Sequence, residues 1–372
     1  MELSRSTIKR YIRFVHRWLG LISGLLVLIV ALTGSILAFE DEGREQFQHG
    51  YYHVAAPGTQ RLPLEQLLDS FRVANAKTTI NSIRFKESVD AAYVFFTKDR
   101  YVFMDPYTAR IMATLPVNRD FFTVVRTLHT ELWMGEAGKT IVHFNVLLFF
   151  IMCVSGLILW WPKKWRFVLQ AVRIDLRSGN PKRVNYDLHR ALGFYALPVL
   201  LIISLTGLFM SFDTTKQIVS FITNAPVPAK EDIPRVKKQT GGGHGHVSLD
   251  TVYAYARIHY PGALETFVTP ATKEAPIRIV MRYPFSILRR QNTFYFNPGD
   301  GTLLKSALYT NYNRYDKVAR SNYNLHTGKI GPLGIFSKFL YCLAALAAAS
   351  LPITGLRIWL GKRASRKDGR VG

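Results

Sequence analysis

Ten histidines lie along this 372-residue chain, and four of them recur in matching surroundings. His16 opens the run HRWLGLISGLLVLIVALTGSILAF (16–39), and His189 opens HRALGFYALPVLLIISLTGLFMSF (189–212). Aligned without a gap at an offset of 173, the two runs share ten of 24 positions, including His-Arg, Leu-Gly and Leu-Thr-Gly. His129 and His326 make a second pair, in Leu128-His129-Thr130 and Leu325-His326-Thr327. Neutral imidazole is the commonest protein ligand for a metal, and two imidazoles converging from repeat-related positions can hold an ion from opposite sides. A single histidine at the end of an apolar run is ordinarily an interfacial residue bonded to headgroups or backbone. Four in a repeated pattern favour function, because ionisable groups in membrane-spanning segments are costly to keep.

Other candidates carry weaker signals. His143 follows His129 by 14 residues, which would place both on one face of a continuous helix, but Gly135-Glu136-Ala137-Gly138 between them predicts a break. His244 and His246 sit in Gly241-Gly242-Gly243-His244-Gly245-His246, two potential ligands without a third, and the stretch reads as a linker. Arg17 and Arg190 directly follow the first histidine pair; they read as anchors at a membrane face, with forks that also match carboxylates. The Leu-Thr-Gly triplets read as ordinary close helix packing.

Four apolar spans must position these residues: Trp18–Phe39, Thr140–Trp161, Ala191–Phe212 and Phe336–Leu360. At ~1.5 Å per residue, 22 residues give ~33 Å of helix, enough to cross a bilayer core. Lys338 and Arg357 lie near the ends of the fourth span, where long side chains snorkel. Residues 1–17, 162–190 and 361–372 hold eighteen Lys and Arg against four acids (Glu2, Asp175, Asp187, Asp368), the positive-inside signature. That places residues 1–39 as a cytoplasmic N-terminus with the first span, 162–190 as a basic cytoplasmic loop and 361–372 as a basic cytoplasmic tail; segments 40–139 and 213–335 are exported. The same distribution explains the net charge of +23 through membrane lipid, without nucleic acid. A mean hydropathy of only +0.07 requires large water-exposed parts. The first span lacks an A-x-A-like cleavage site and reads as a retained helix. Cys153 and Cys342 both fall inside spans, which disfavours a disulfide framework.

The exported segments repeat as well. Residues 102–111 (Val102 to Ile111) and 294–303 (Phe294 to Leu303) each end an alternating aromatic strand in Asp105-Pro106 or Asn297-Pro298 and lead into another short strand, a hairpin signal. Helices are predicted at 63–74 and 248–259, followed by strands at 80–85, 92–97, 265–268 and 277–282. The fold class is therefore a four-transmembrane-helix bundle with two α+β lobes, built by internal duplication: span, exported lobe, histidine, span, twice over.

The order HRWLG, span, LTG, hairpin lobe with Asp/Asn-Pro, LHT, span, SGL resembles the PepSY-associated transmembrane helix family over nearly the full length, and within it the inner-membrane ferric-siderophore reductases. That resemblance implies a bacterial inner-membrane b-type haem protein with two PepSY-like periplasmic lobes. The topology puts His16 and His189 at the cytoplasmic face and His129 and His326 at the periplasmic face, so a pseudo-two-fold axis would make two bis-histidine sites, each suited to a haem b. His143 is open to three roles: replacing His129 as ligand, joining it near one haem, or bonding a propionate.

The expected function is electron transfer across the membrane to reduce a periplasmic ferric siderophore or other ferric chelate, releasing iron. Neither G-x-G-x-x-G after a strand nor G-x-x-x-x-G-K-[ST] occurs, so the donor is expected to be a quinol or another protein. The alternatives are a haem-free, membrane-anchored binding or regulatory module and a cytochrome b serving another acceptor. Arg282, Arg289, Arg290, Tyr312, Arg314 and Tyr315 are exported side chains that could meet an anionic chelate, although a solvated edge is their commoner role.

Overall fold

The computed structural model describes residues 5–76, 78–162, 164–228, 233–234, 236, 247–272, 275–284 and 286–368. His244 and His246 with the preceding glycines, and Glu2, Lys163 and Arg370 of the charge clusters, lie outside the described residues. In chain order the helices are α1 (Arg5–Leu37), α2 (Glu40–Phe47), α3 (His49–Tyr52), α4 (Leu64–Ala74), α5 (Phe121–Glu131), α6 (Gly135–Trp160), α7 (Val168–Val172), α8 (Pro181–Ser211), α9 (Asp213–Thr223), α10 (Leu249–His259), α11 (Arg314–Thr327) and α12 (Gly334–Asp368). The strands are β1 (Ile80–Lys86), β2 (Tyr93–Thr97), β3 (Arg100–Met104), β4 (Ile111–Pro116), β5 (Glu265–Thr269), β6 (Ile277–Arg282), β7 (Gln291–Phe296) and β8 (Leu303–Ala307). The chain divides into a helical unit (Met1–Phe39, Val125–Ile218, Asn322–Gly372) and a sheet unit (Glu40–Val124, Val219–Ser321).

In the helical unit, four helical stretches among the described residues are long and apolar enough to cross a membrane: Ser6–Leu37, Gly135–Trp160, Pro181–Ser211 and Arg314–Arg363. The chain is a membrane protein. α1 and α8 each pack between α6 and α12, which closes a four-helix ring. Its polarity is inverted relative to a water-soluble bundle. Ile22, Leu25, Phe144, Leu205, Phe336 and Leu343 are exposed, whereas Ser23, Thr33, Ser155, Ser204 and Thr206 are buried. Lipid-facing surfaces take apolar side chains and helix contacts take small polar ones, because lipid tails give no hydrophobic drive between helices. Gly24 lets α1 close on α12: a Cβ there would stand 3.2 Å from Pro352 Cβ. Asn180 caps α8, its Oδ1 accepting from the Lys182 and Arg183 amides at 3.0 and 3.3 Å, and Pro181 takes the first helical position.

The break predicted at Gly135–Gly138 lies just upstream. Leu132, Trp133 and Gly135 are all left-handed (φ 52°, 57° and 59°) and turn the chain, and α6 starts at Gly135 and includes Gly138. Gly138 packs on the Glu131 carbonyl, where any Cβ would collide, so this glycine serves close approach.

The sheet unit holds one eight-stranded antiparallel sheet in the order β4-β3-β2-β1-β5-β6-β7-β8. Each predicted lobe supplies four strands and one packing helix, and β1 pairs with β5 through Ile83↔Val268 to Lys86↔Glu265, which joins the two halves edge to edge in one sheet. Pairing removes two exposed strand edges. Both predicted hairpins form on Asx turns, with the Tyr107 amide donating to Asp105 Oδ1 (2.8 Å) and the Gly299 amide to Asn297 Oδ1 (3.0 Å). α4 buries Leu64, Leu67, Leu68 and Phe71, spaced i, i+3, i+4 and i+7, against the sheet. Phe71 stacks on Phe95 with centroids 4.9 Å apart. The two packing helices cap each other. The Leu64 and Glu65 amides donate to the Asp250 carboxylate (2.6 and 3.1 Å), and the Leu249 amide donates to Glu65 Oε1 (2.9 Å).

Asp120, fully buried, ties α2 to the start of α5: Arg44 grips both its oxygens (2.9 and 2.6 Å), and Gln48 and Thr123 also donate to it. Burial alone would raise this carboxyl, but the bonds from Arg44, Thr123 and Gln48 hold it below its ordinary 3.8. A carboxyl lowered in the folded state stabilises fully above its unfolded value and loses that contribution as pH falls through the native one. Asp120→Ala is expected to destabilise the sheet unit by ~1–3 kcal/mol, since Arg44 loses one of its two carboxylate partners and keeps Glu40 at 3.0 Å. Thermal melts followed by circular dichroism should show that loss near neutrality, with a shallower acid dependence than in the unsubstituted protein.

Candidate functional site

Each of the four repeat-related histidines meets a Ser/Thr-Gly step on a neighbouring helix. His16 Nδ1 lies 2.8 Å from Ser155 Oγ, and a Cβ on Gly156 would stand 3.4 Å from His16 Cε1. His189 Nδ1 lies 2.9 Å from Thr354 Oγ1, with Gly355 at 3.4 Å in the same sense. His129 Nδ1 is 3.0 Å from Thr33 Oγ1, beside Gly34 at 3.1 Å. His326 Nδ1 is 3.0 Å from Thr206 Oγ1, beside Gly207 at 3.5 Å. The glycine lets the flat ring lie against helix backbone, and the hydroxyl takes its Nδ1 edge.

Hydrogen counting then assigns the tautomer. Each hydroxyl has one hydrogen, and each has a carbonyl acceptor on its own helix: Ser155 to Met152, Thr33 to Ile29, Thr206 to Ile202 and Thr354 to Ser350, at 3.2, 2.8, 2.7 and 3.0 Å. The hydroxyl oxygen is therefore able to accept from the imidazole. For His326 a second acceptor demands it, the Ile203 carbonyl at 3.1 Å, which has no hydrogen to give. For His326 the carbonyl thus places the proton on Nδ1; for the other three the hydroxyl has its own acceptor and is able to accept from Nδ1–H, the tautomer that leaves Nε2 with its lone pair. Among the described residues no hydrogen bond engages any of the four Nε2 atoms.

One of the expected pairs comes together as neighbouring rings. The His129 and His326 rings have centroids 6.5 Å apart and planes inclined at 68°. His16 and His189 are within electrostatic reach of each other. The pairs lie at opposite ends of the bundle: on α1, His16 belongs to one and Thr33 serves the other, 17 residues or ~26 Å along the axis. His189 and Thr206 repeat that spacing on α8.

The His143 ring sits 6.1 Å from that of Phe212, the residue that follows α8, and the turn at Leu132–Met134 removes the shared helix face with His129. Arg190 is engaged by Asp187 (3.1 Å) and the Gln170 carbonyl (2.6 Å), whereas Arg17 lies over Phe14 and Trp18. In the sheet unit, Arg282 pairs with Glu265 at 2.9 Å, Tyr312 donates to the Gln291 carbonyl and Tyr315 is buried, so these three serve the fold. The residues that sequence reasoning missed are Thr33, Ser155, Thr206 and Thr354 with their glycines. Their signal was a small hydroxyl-glycine step at four repeat-related places, which helix packing alone also explains.

A bundle of four membrane-length helices, together with an α+β sheet unit, defines an integral membrane protein. The chain belongs to the PepSY-associated TM region family, whose pattern it matches over residues 13–362. It is similar to the uncharacterized protein PA4219 of Pseudomonas aeruginosa, 23% identical over 274 residues that cover 66% of this chain. It spans 64% of that relative's length. The solved structure of CD1622 from Clostridium difficile 630 aligns with 67% of this chain and 95% of its own, at 7% identity and a TM-score of 0.26, too remote to inform the fold.

Ser155→Ala removes the Nδ1 acceptor of His16. In the cofactor-free protein in detergent, ¹⁵N histidine spectra should show His16 in the Nδ1–H form, and a mixture of both tautomers in Ser155→Ala. A mixture already present before substitution would contradict the assignment.

Proposed function

We propose that the chain is a bacterial inner-membrane electron-transfer protein that binds two haems b between its histidine pairs and reduces a periplasmic ferric chelate, of the ferric-siderophore class. The observation that carries this reading is the presentation of two free Nε2 lone pairs at each end of the bundle. His129 and His326, with ring centroids 6.5 Å apart, would hold one haem, and His16 with His189 the other. Bound there, haem would supply a one-electron couple whose potential is set by the axial ligands and their hydrogen bonds.

The chain's own residues do the rest. Thr33, Ser155, Thr206 and Thr354 hold each ring in its ligating tautomer and accept from Nδ1–H, which raises the basicity of Nε2. The ~26 Å between pairs approaches the ~30 Å hydrocarbon thickness, so the sites serve opposite faces. Internal duplication, with α1 equivalent to α8 and α6 to α12, accounts for the matched contacts. The basic clusters orient both termini toward the cytoplasm, where a quinol or protein donor delivers electrons; the sheet unit is then periplasmic. Ferric iron given one electron leaves an oxygen-rich chelator readily.

Purified protein from haem-replete cells should show a b-type reduced-minus-oxidised spectrum with two haems per chain by pyridine haemochrome. His16→Ala and His326→Ala should each remove one haem, and His143→Ala neither. Dithionite-reduced protein should reoxidise on adding a ferric siderophore, with ferrous iron trapped by a chromogenic chelator. Protein without haem, or a count unchanged in His16→Ala and His326→Ala, would exclude the reading.

A further inference from the structure

A second set of metal-ligating side chains converges within the sheet unit. Glu45 on α2, His49 at the start of α3 and His53 just after it have ligand atoms that all lie within 4.8 Å of one another. Glu45 Oε1 stands 2.7 Å from His53 Nε2 and 3.9 Å from His49 Nε2. The two imidazoles stack, centroids 4.2 Å apart and planes 13° apart. The spacing i, i+4, i+8 places all three on one face of the α2–α3 segment.

His53 is fixed from behind. Its Nδ1 lies 2.6 Å from Asp90 Oδ2, and its backbone bridges to Ala91. An ionised carboxylate only accepts, so Nδ1 donates to Asp90 and the Nε2 edge is turned toward Glu45. That nitrogen is buried and without a hydrogen bond, although Glu45 Oε1 is only 2.7 Å away, close enough for the two atoms to share one cation.

We propose that Glu45, His49 and His53 bind one divalent first-row transition-metal ion, with Asp90 as the residue that positions His53. Two imidazoles and a carboxylate suit borderline ions such as Zn²⁺ and Fe²⁺. Donor atoms around a tetrahedral ion stand ~3.3 Å apart, and the 2.7 and 3.9 Å separations bracket that value. Glu45 and His49 are 50% and 65% exposed, so both can adjust. Three protein ligands leave one position for water or for a donor atom of an incoming molecule. The carboxylate behind a ligating histidine is the usual support for such a ring. This site does not depend on the haem reading.

The test is titration calorimetry with Zn²⁺ on full-length protein in detergent, stripped with chelator, with His244→Ala and His246→Ala in every sample to remove the other adjacent histidine pair. One Zn²⁺ per chain is expected, lost in the Glu45→Gln/His49→Ala double variant and weakened ~10–100-fold in Asp90→Asn. Both substituted side chains in the double variant are exposed, and its melting should match the parent. Equal stoichiometry and affinity in parent and double variant would overturn the site, and unchanged affinity in Asp90→Asn would overturn the positioning role.

Discussion

A hydrogen bond from an imidazole Nδ1–H to a hydroxyl buried on a neighbouring helix, made four times, is the constraint on which the helical unit turns. In an apolar interior an unpaired polar donor costs ~1–3 kcal/mol, so each ring is held with that edge inward. The hydroxyl is itself committed to its own helix, as Thr206 is to the Ile202 carbonyl at 2.7 Å, and cannot reverse the direction of donation. The low dielectric that makes the bond strong also makes the alternative tautomer expensive. One edge of the ring is spent on structure, and Nε2 takes no part in that bond.

The packing of the bundle follows from the same requirement. A ring laid against helix backbone is favoured by a glycine beside the hydroxyl: a Cβ on Gly34 would press on His129 (3.1 Å) and one on Gly207 would collide with Val146, while at Gly156 and Gly355 the histidine lies at contact distance (3.4 Å). Close approach at these steps draws α1 and α8 into contact with α6 and α12, and the larger apolar side chains turn outward to lipid. The sheet unit answers to different physics. Its aromatic core, the mutual capping of α4 and α10 and the buried Asp120–Arg44 pair are the devices of a water-exposed domain.

The histidine pairs were legible in the sequence because repetition marks equivalence: two copies of HRxLG and of LHT announce residues that a symmetric bundle brings together. Helices and strands near Leu64–Ala74, Ile80–Lys86 and Gln291–Phe296 were legible from periodicity and from Asp/Asn-Pro turns. The hydroxyl-glycine steps were visible but ambiguous, since Leu-Thr-Gly serves tight packing equally well. The β1–β5 pairing carried no local signal; strands some 180 residues apart reveal nothing of each other in their own patterns. The break before α6 was displaced because two left-handed non-glycine residues, Leu132 and Trp133, made the turn together with Gly135. The Glu45, His49, His53 spacing was present in the chain, but Asp90, which orients His53, is distant in sequence.

The most direct test of the paired-imidazole centre is low-temperature electron paramagnetic resonance of the oxidised protein purified from haem-replete cells. Two distinct low-spin ferric signals of bis-imidazole character are expected, one of them lost in His129→Ala. A high-spin signal as the main species, or low-spin signals untouched by substitution at His129, would contradict coordination by the histidine pairs.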